Sequence, residues 1–252
     1  MRLEALESLD AQISARERGN LVHKALEAFA INYPGDLPTD AEAQLLAGIE
    51  QVFLEVVSDP SLAAFWWPQM ERIAAWYIQQ DRDWRRDAMQ LHPECKGVSE
   101  LVIDGRPFAL SGIADRIDEL TDGSLRIIDY KTGQLPAKKP GSAGYSAQLD
   151  LISHMVSAGA FEEIMPSTVS DAAYVRLSGG DPGGEISALG ADPGKRAAEA
   201  IAGLVELLGD YADPEQPYLA LNAADRERRP FDYDHLSRWR EWGHLLIEDD
   251  AS

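Results

Sequence analysis

Two segments rich in isoleucine and leucine, Gly112 to Leu120 and Ser124 to Lys131, flank Thr121-Asp122-Gly123, and this spacing constrains the fold more than any other feature. A three-residue hairpin loop with Gly123 in the left-handed conformation fits it. Such a loop pairs Leu120 with Ser124, which sets Asp115 opposite Asp129 and Ile113 opposite Lys131. Side chains alternate along a strand, so the two aspartates and the lysine then share one face with Ile113, Ile117, Leu125 and Ile127. A two-residue Asp-Gly loop shifts the pairing by one and puts the aspartates on opposite faces, so the register rests on the turn.

Two carboxylates at the end of an apolar surface repel each other unless they share a proton or bind a hard cation. Oxygen ligands in a partly hydrated site suit magnesium or manganese. Lys131 lies two residues beyond Asp129, near enough to orient or deprotonate an attacking water. The chemistry implied is metal-assisted hydrolysis. The competing arrangement pairs Asp115 with Arg116 or Arg126 and leaves Asp129 and Lys131 as an ordinary surface ion pair.

The motifs GIADRID, then IIDYKTG, then AQLDL opening a helix resemble the RecB-like branch of the PD-(D/E)XK nucleases. RERGNLVHKALEAF, with Arg18-Gly19 ahead of His23, resembles the earlier helix that carries a further metal ligand in that branch. The resemblance spans residues 1 to 175 in order, and it implies an α/β restriction-endonuclease-like core with a mixed central β-sheet flanked by helices. It implies Asp115 and Asp129 as metal-binding acids, His23 as the helical ligand and the Tyr130 main-chain carbonyl as an additional one. Lys131 then corresponds to the catalytic lysine and Gln148 to the polar residue of the following helix, with Mg2+ or Mn2+ as cofactor.

The opening RLEALESLDAQISARERGNLVHKAL and the closing FDYDHLSRWREW are similar to the C-terminal nuclease domain of AddB-type subunits. That similarity implies exonuclease action on single-stranded DNA ends unwound during double-strand-break repair. It also implies an AddA-like helicase-nuclease partner and the remainder of an AddB-like chain. Two departures stand out. Ile152 occupies a position where the family often has tyrosine, and Cys95 is the only cysteine, so no iron-sulfur cluster is expected. Rival readings are a nuclease-like interaction module without turnover and a stand-alone nuclease of the Cas4 type.

Composition narrows the setting. The 252 residues, 45% hydrophobic, predict one domain over 1–252 with a helical insertion at about 36–92 and a helical tail at about 226–252. No apolar run approaches the ~20 residues that cross a membrane, and no signal-peptide pattern opens the chain, so a cytoplasmic location without a membrane partner is expected. The formal net charge of -20 predicts poor DNA binding by the domain alone, because nucleic-acid affinity draws on basic patches. Lys138, Lys139 and Arg176 are the local basic candidates for a strand path, with solvated surface charge as their other reading.

Periodicity predicts a helix over 14–31 capped by Ser14, with His23 bordering its apolar side, and further helices over 41–57 and 62–86. Phe65, Trp66, Trp67, Trp76, Tyr77 and Trp84 in the third are read as core or interface rather than as base-stacking platforms. Strands are expected at 98–104 and 106–114 around Asp104-Gly105, with Glu100 able to support the site from the first. A loop over 134–144, a helix over 145–157, a strand over 168–177 and a mobile connection over 178–194 follow. A helix over 195–211, an arginine-rich turn at Arg226 to Arg229 and a helix from Tyr233 to Ile247 complete the expected order.

Overall fold

The computed structural model describes residues 15–56, 60–137, 146–190 and 192–217. Ser14, Lys138, Lys139, the Arg226–Arg229 turn, the tail helix and the closing motif lie outside the described residues. The chain divides into two units, and Met1–Ala11, Pro136–Ser146 and Asp213–Ser252 form one that lies almost wholly outside them. The other, Gln12–Leu135 with Ala147–Ala212, carries the fold and the site.

Its sheet has five strands in chain order, β1 (Ala88–Ile103), β2 (Arg106–Leu120), β3 (Leu125–Lys131), β4 (Val169–Arg176) and β5 (Glu185–Ala188). Neighbours are antiparallel except β3 and β4, whose parallel pairing requires a crossover, and α4 (Gln148–Ser157) lies within it. Helices α1 (Ala15–Asn32), α2 (Ala41–Val56) and α3 (Pro60–Arg85) precede the sheet, and α5 (Pro193–Asp210) follows it. This is the mixed sheet flanked by helices that the motifs imply.

Alternation along β3 builds both cores. Ile128 and Tyr130 pack with Leu21, Leu26, Ile49, Met70 and Tyr77 of α1 to α3, whereas Leu125 and Ile127 pack with Leu149, Ile152 and Met155 of α4. A strand covered on both faces reads as a continuous apolar run, as LRIIDYK nearly does. The aromatic residues of α3 serve the first core: Trp66 and Tyr77 are buried, and Trp67, Trp76 and Trp84 pack against it. The side chain of Phe65 lies outside the described residues.

The β2–β3 loop is decisive for the site. Gly123 has φ +82°, Leu120 N donates to Ser124 O at 2.8 Å, and the pairs run from Glu119 with Leu125 to Arg116 with Ile128. This is the register of a three-residue loop, and Asp122 Oδ1 locks it by accepting from Ser124 N at 2.9 Å.

Several expectations are corrected. The strand expected from Val98 begins at Ala88, and the two segments expected around residue 112 form one continuous β2. The helical insertion therefore ends at Arg85 rather than near 92. The helix expected from Tyr145 begins at Gln148. The connection over 178–194 contains β5, which pairs with β4 through Val175–Ile186 and Arg176–Glu185. Ile113, expected on a buried face, is 47% exposed, because strand alternation is broken between Ala114 and Ile117, which both enter the α4-side core.

Candidate active site

The β2–β3 ladder ends at the Arg116–Ile128 pair. Ala114 and Ile117, three residues apart, both pack in the α4-side core, so alternation is broken between them. Asp115 sits in that break. Its Oδ2 accepts a hydrogen bond from Tyr130 N at 2.7 Å, so a side chain supplies the acceptor that a strand carbonyl otherwise provides. One consequence is local: the carboxylate is tied directly to the backbone between Asp129 and Lys131.

Helix α1 brings His23 to the same place, with Nδ1 3.5 Å from Asp115 Oδ1. Its close approach depends on Gly19, where a Cβ would stand 2.8 Å from Thr132 Oγ1. The Arg18-Gly19 pair in the sequence thus has a steric reason on its glycine side. Burial opposes a proton on His23, but the hydrogen bond and charge of Asp115, with the charge of Asp129, raise its pKa above the ordinary value.

Asp129 is buried on the opposite side of β3 from Tyr130. Its Oδ1 accepts from Gln148 Nε2 at 2.6 Å, and Lys131 Nζ lies 2.6 Å from Oδ2 and donates to Gln148 Oε1 at 3.2 Å. That ion pair is the contact Lys131 makes with the buried Oδ2. Burial first, and the Asp115 charge second, push the Asp129 pKa up to about 6, against the partial relief that Lys131 gives. An acid held this way is a poor resting anion and a good oxygen donor to a cation.

The competing arrangement is absent among the described residues. Arg116 is buried and donates to Asp118 Oδ1 and Asp81 Oδ1, each at 2.6 Å, while Arg126 reaches Asp87 at 2.7 Å and the Trp84 carbonyl at 3.0 Å. Neither arginine neutralises Asp115. Lys131 and Asp129 are not a surface pair either, since the Asp129 side chain is 3% exposed.

The structure therefore gathers His23, Asp115, Asp129, Tyr130, Lys131 and Gln148 at one end of β3. It leaves Glu100 out, exposed and paired with Ala109. It adds Glu94, which sequence reading missed: one ligand atom each from His23, Glu94 and Asp115 lie within 4.8 Å of one another. The donor set, one imidazole with carboxylates, fits a hard divalent cation. Cys95 offers no rival chemistry, because burial and then the charges of Glu163 and Glu94 push its thiol up to about 11.

A mixed sheet flanked by helices, with acids, a lysine and a glutamine at the end of its central strand, defines a nuclease-like α/β protein. The chain belongs to the PD-(D/E)XK nuclease superfamily, whose sequence profile matches residues 1–245. Members of this superfamily use divalent metal ions. An uncharacterized protein of Rickettsia bellii is 30% identical over 143 residues, which cover 57% of this chain and 17% of that protein. Another from Rickettsia typhi is 30% identical over 135 residues, covering 52% and 16%. The matched region thus spans about a sixth of the length of these curated relatives. The crystal structure of SSO0001 aligns over 75% of this chain and 73% of its own at 15% identity, with a TM-score of 0.34.

Proposed function

We propose that this chain is a Mg2+-dependent deoxyribonuclease unit that hydrolyses phosphodiester bonds, in the manner of the AddB-type nuclease domains it resembles. The observation that carries the reading is the joint hold on Asp129 by Lys131 and Gln148, beside Asp115 and His23.

His23, Asp115, Asp129 and the Tyr130 carbonyl would hold the cation. When bound, it supplies Lewis-acid chemistry, lowering the pKa of water and offsetting charge on the phosphate. Lys131, with its ammonium beside Asp129, orients the attacking water toward phosphorus. Gln148 bridges Lys131 and Asp129 and fixes both against rotation. Tyr130 N holds Asp115 in a single rotamer, which pre-organises the site without help from substrate.

The substrate in this reading is single-stranded DNA unwound by a helicase, and the setting is recombinational repair of double-strand breaks. An AddA-like subunit and further AddB-like chain deliver the strand. Two measurements test the core of the proposal. Wild-type protein is expected to bind Mn2+ by calorimetry and to degrade DNA only with Mg2+ or Mn2+. The Asp115→Ala, Asp129→Ala double variant should lose both, and undiminished Mn2+ binding by that variant would sink the assignment.

A further inference from the structure

Glu94 is a carboxylate at this centre to which the motif order gives no role. It lies on β1 where the β1–β2 ladder skips a step, the pairs on either side being Pro93 with Arg116 and Cys95 with Ala114. The residue facing it across the gap is Asp115. Its φ of +47° lies in the left-handed region, which turns the chain out of the strand alternation at this one position. Glu94, His23 and Asp115 also line one pocket together with Glu27 and Tyr130.

Distance allows a direct bond. Two oxygen or nitrogen ligands of one hard cation, each bonded at about 2.0–2.6 Å, lie no more than about 5 Å apart. One ligand atom from each of Glu94, His23 and Asp115 lies within 4.8 Å of the other two, and the three come from separate elements, β1, α1 and β2. Charge argues the same way. The pocket gathers the carboxylates of Glu94, Asp115 and Glu27 around the one imidazole of His23. A cation at the junction of these groups removes the repulsion. Asp129, a further ligand in the reading above, is held on its other side by Lys131 and Gln148.

We infer that Glu94 is a direct ligand of the divalent cation, coordinating it together with His23 and Asp115. The inference rests on the metal-centre reading above, and its test separates the two. Mn2+ binding is measured by electron paramagnetic resonance for the wild type, Glu94→Gln, Asp115→Ala and Glu100→Gln, the last an exposed carboxylate on the same strand. Glu94→Gln should weaken Mn2+ by at least about tenfold, while Glu100→Gln binds as wild type. A manganese-soaked crystal of the wild type should show the ion in direct contact with a Glu94 carboxylate oxygen. An ion bound to Asp115 but out of contact with Glu94 overturns the inference, even where Glu94→Gln weakens affinity through charge alone. Loss of binding in Asp115→Ala with normal binding in Glu94→Gln also overturns it and leaves the metal centre standing. Normal Mn2+ binding in Asp115→Ala overturns both.

Discussion

Lys131 is the residue at which chemistry and stability separate most cleanly. Its side chain is partly exposed, its polar partners are Asp129 and Gln148, and its one ring contact is with Tyr174 at 5.7 Å. Lys131→Ala is therefore expected to keep the melting temperature of the metal-loaded protein, yet to lower Mg2+-dependent DNA cleavage by about 100-fold or more. Near-normal cleavage at a preserved melting temperature would remove Lys131 from the mechanism. The same residue shows what a sequence reveals. The loop Thr121-Asp122-Gly123 sets the expected register only as far as Arg116 with Ile128, and Asp115 lies past the end of that ladder, where its bond from Tyr130 N, not a pairing with Asp129, places it. Glu94 was not legible. It is brought to Asp115 by a single left-handed residue in a ladder that is otherwise regular from Gln90 to Ile103, and Pro-Glu-Cys-Lys carries no periodic signal of that break.

At the scale of elements, a buried polar cluster joins α3 to the sheet directly behind the site. Arg116 donates to Asp118 and Asp81, stacks over Trp84 at 5.3 Å, and lies 3.4 Å from the Tyr77 hydroxyl, which contacts the Tyr130 hydroxyl at 3.1 Å. Arg85, one turn beyond Asp81, closes the cluster by donating to Asp81 Oδ2 at 2.9 Å. Removing one partner of a fully buried ion pair strands the other charge, which costs about 3–5 kcal/mol. Arg116→Ala should accordingly lower the unfolding free energy by about 3–5 kcal/mol in urea titrations. Arg86→Ala, which breaks the exposed pair with Asp83, should cost about 1 kcal/mol or less. Equal losses in the two variants would show that the cluster adds no stability beyond a surface pair. In the sequence, Arg116 reads only as a possible partner of Asp115, and Asp118 carries no signal of its own. Only the packing of α3 reveals that both lie inside. The early part of β1 escaped for a related reason: Ala88–Gly97 contains Pro93 and lacks the β-branched alternation that marks strands, and it is held by pairing with β2 rather than by its own propensity. β5 escaped because glycines and a proline surround it, and β4 supplies its order.

For the whole molecule, the governing tension is between a gathered set of nuclease residues and a formal net charge of -20. No helix among the described residues is long and apolar enough to cross a membrane. Arg176, a basic candidate for the strand path among the described residues, stands beside Lys131 in the β3–β4 register but is 3.2 Å from Glu185, which offsets its charge. Phosphate therefore gains little from it. The proposed role resolves the tension through delivery: an AddA-like subunit and further AddB-like chain present the strand, and the centre at the end of β3 only cuts. This makes a prediction with a definite sign. Repulsion between an acidic domain and DNA is screened over about 10 Å at 0.1 M salt, so slow cleavage of single-stranded DNA by the domain alone should rise from very low to moderate ionic strength. Enzymes that bind through basic patches lose activity over the same range, because salt weakens their phosphate contacts. In the reconstituted complex, cleavage should be faster and should follow the salt dependence of the partner instead. The measurement is Mg2+-dependent degradation across a salt series for both samples, with DNA binding followed in parallel. Tight DNA binding by the domain alone that weakens steeply with salt would mean that a local basic track outweighs the net charge, and delivery by a partner would then be unnecessary.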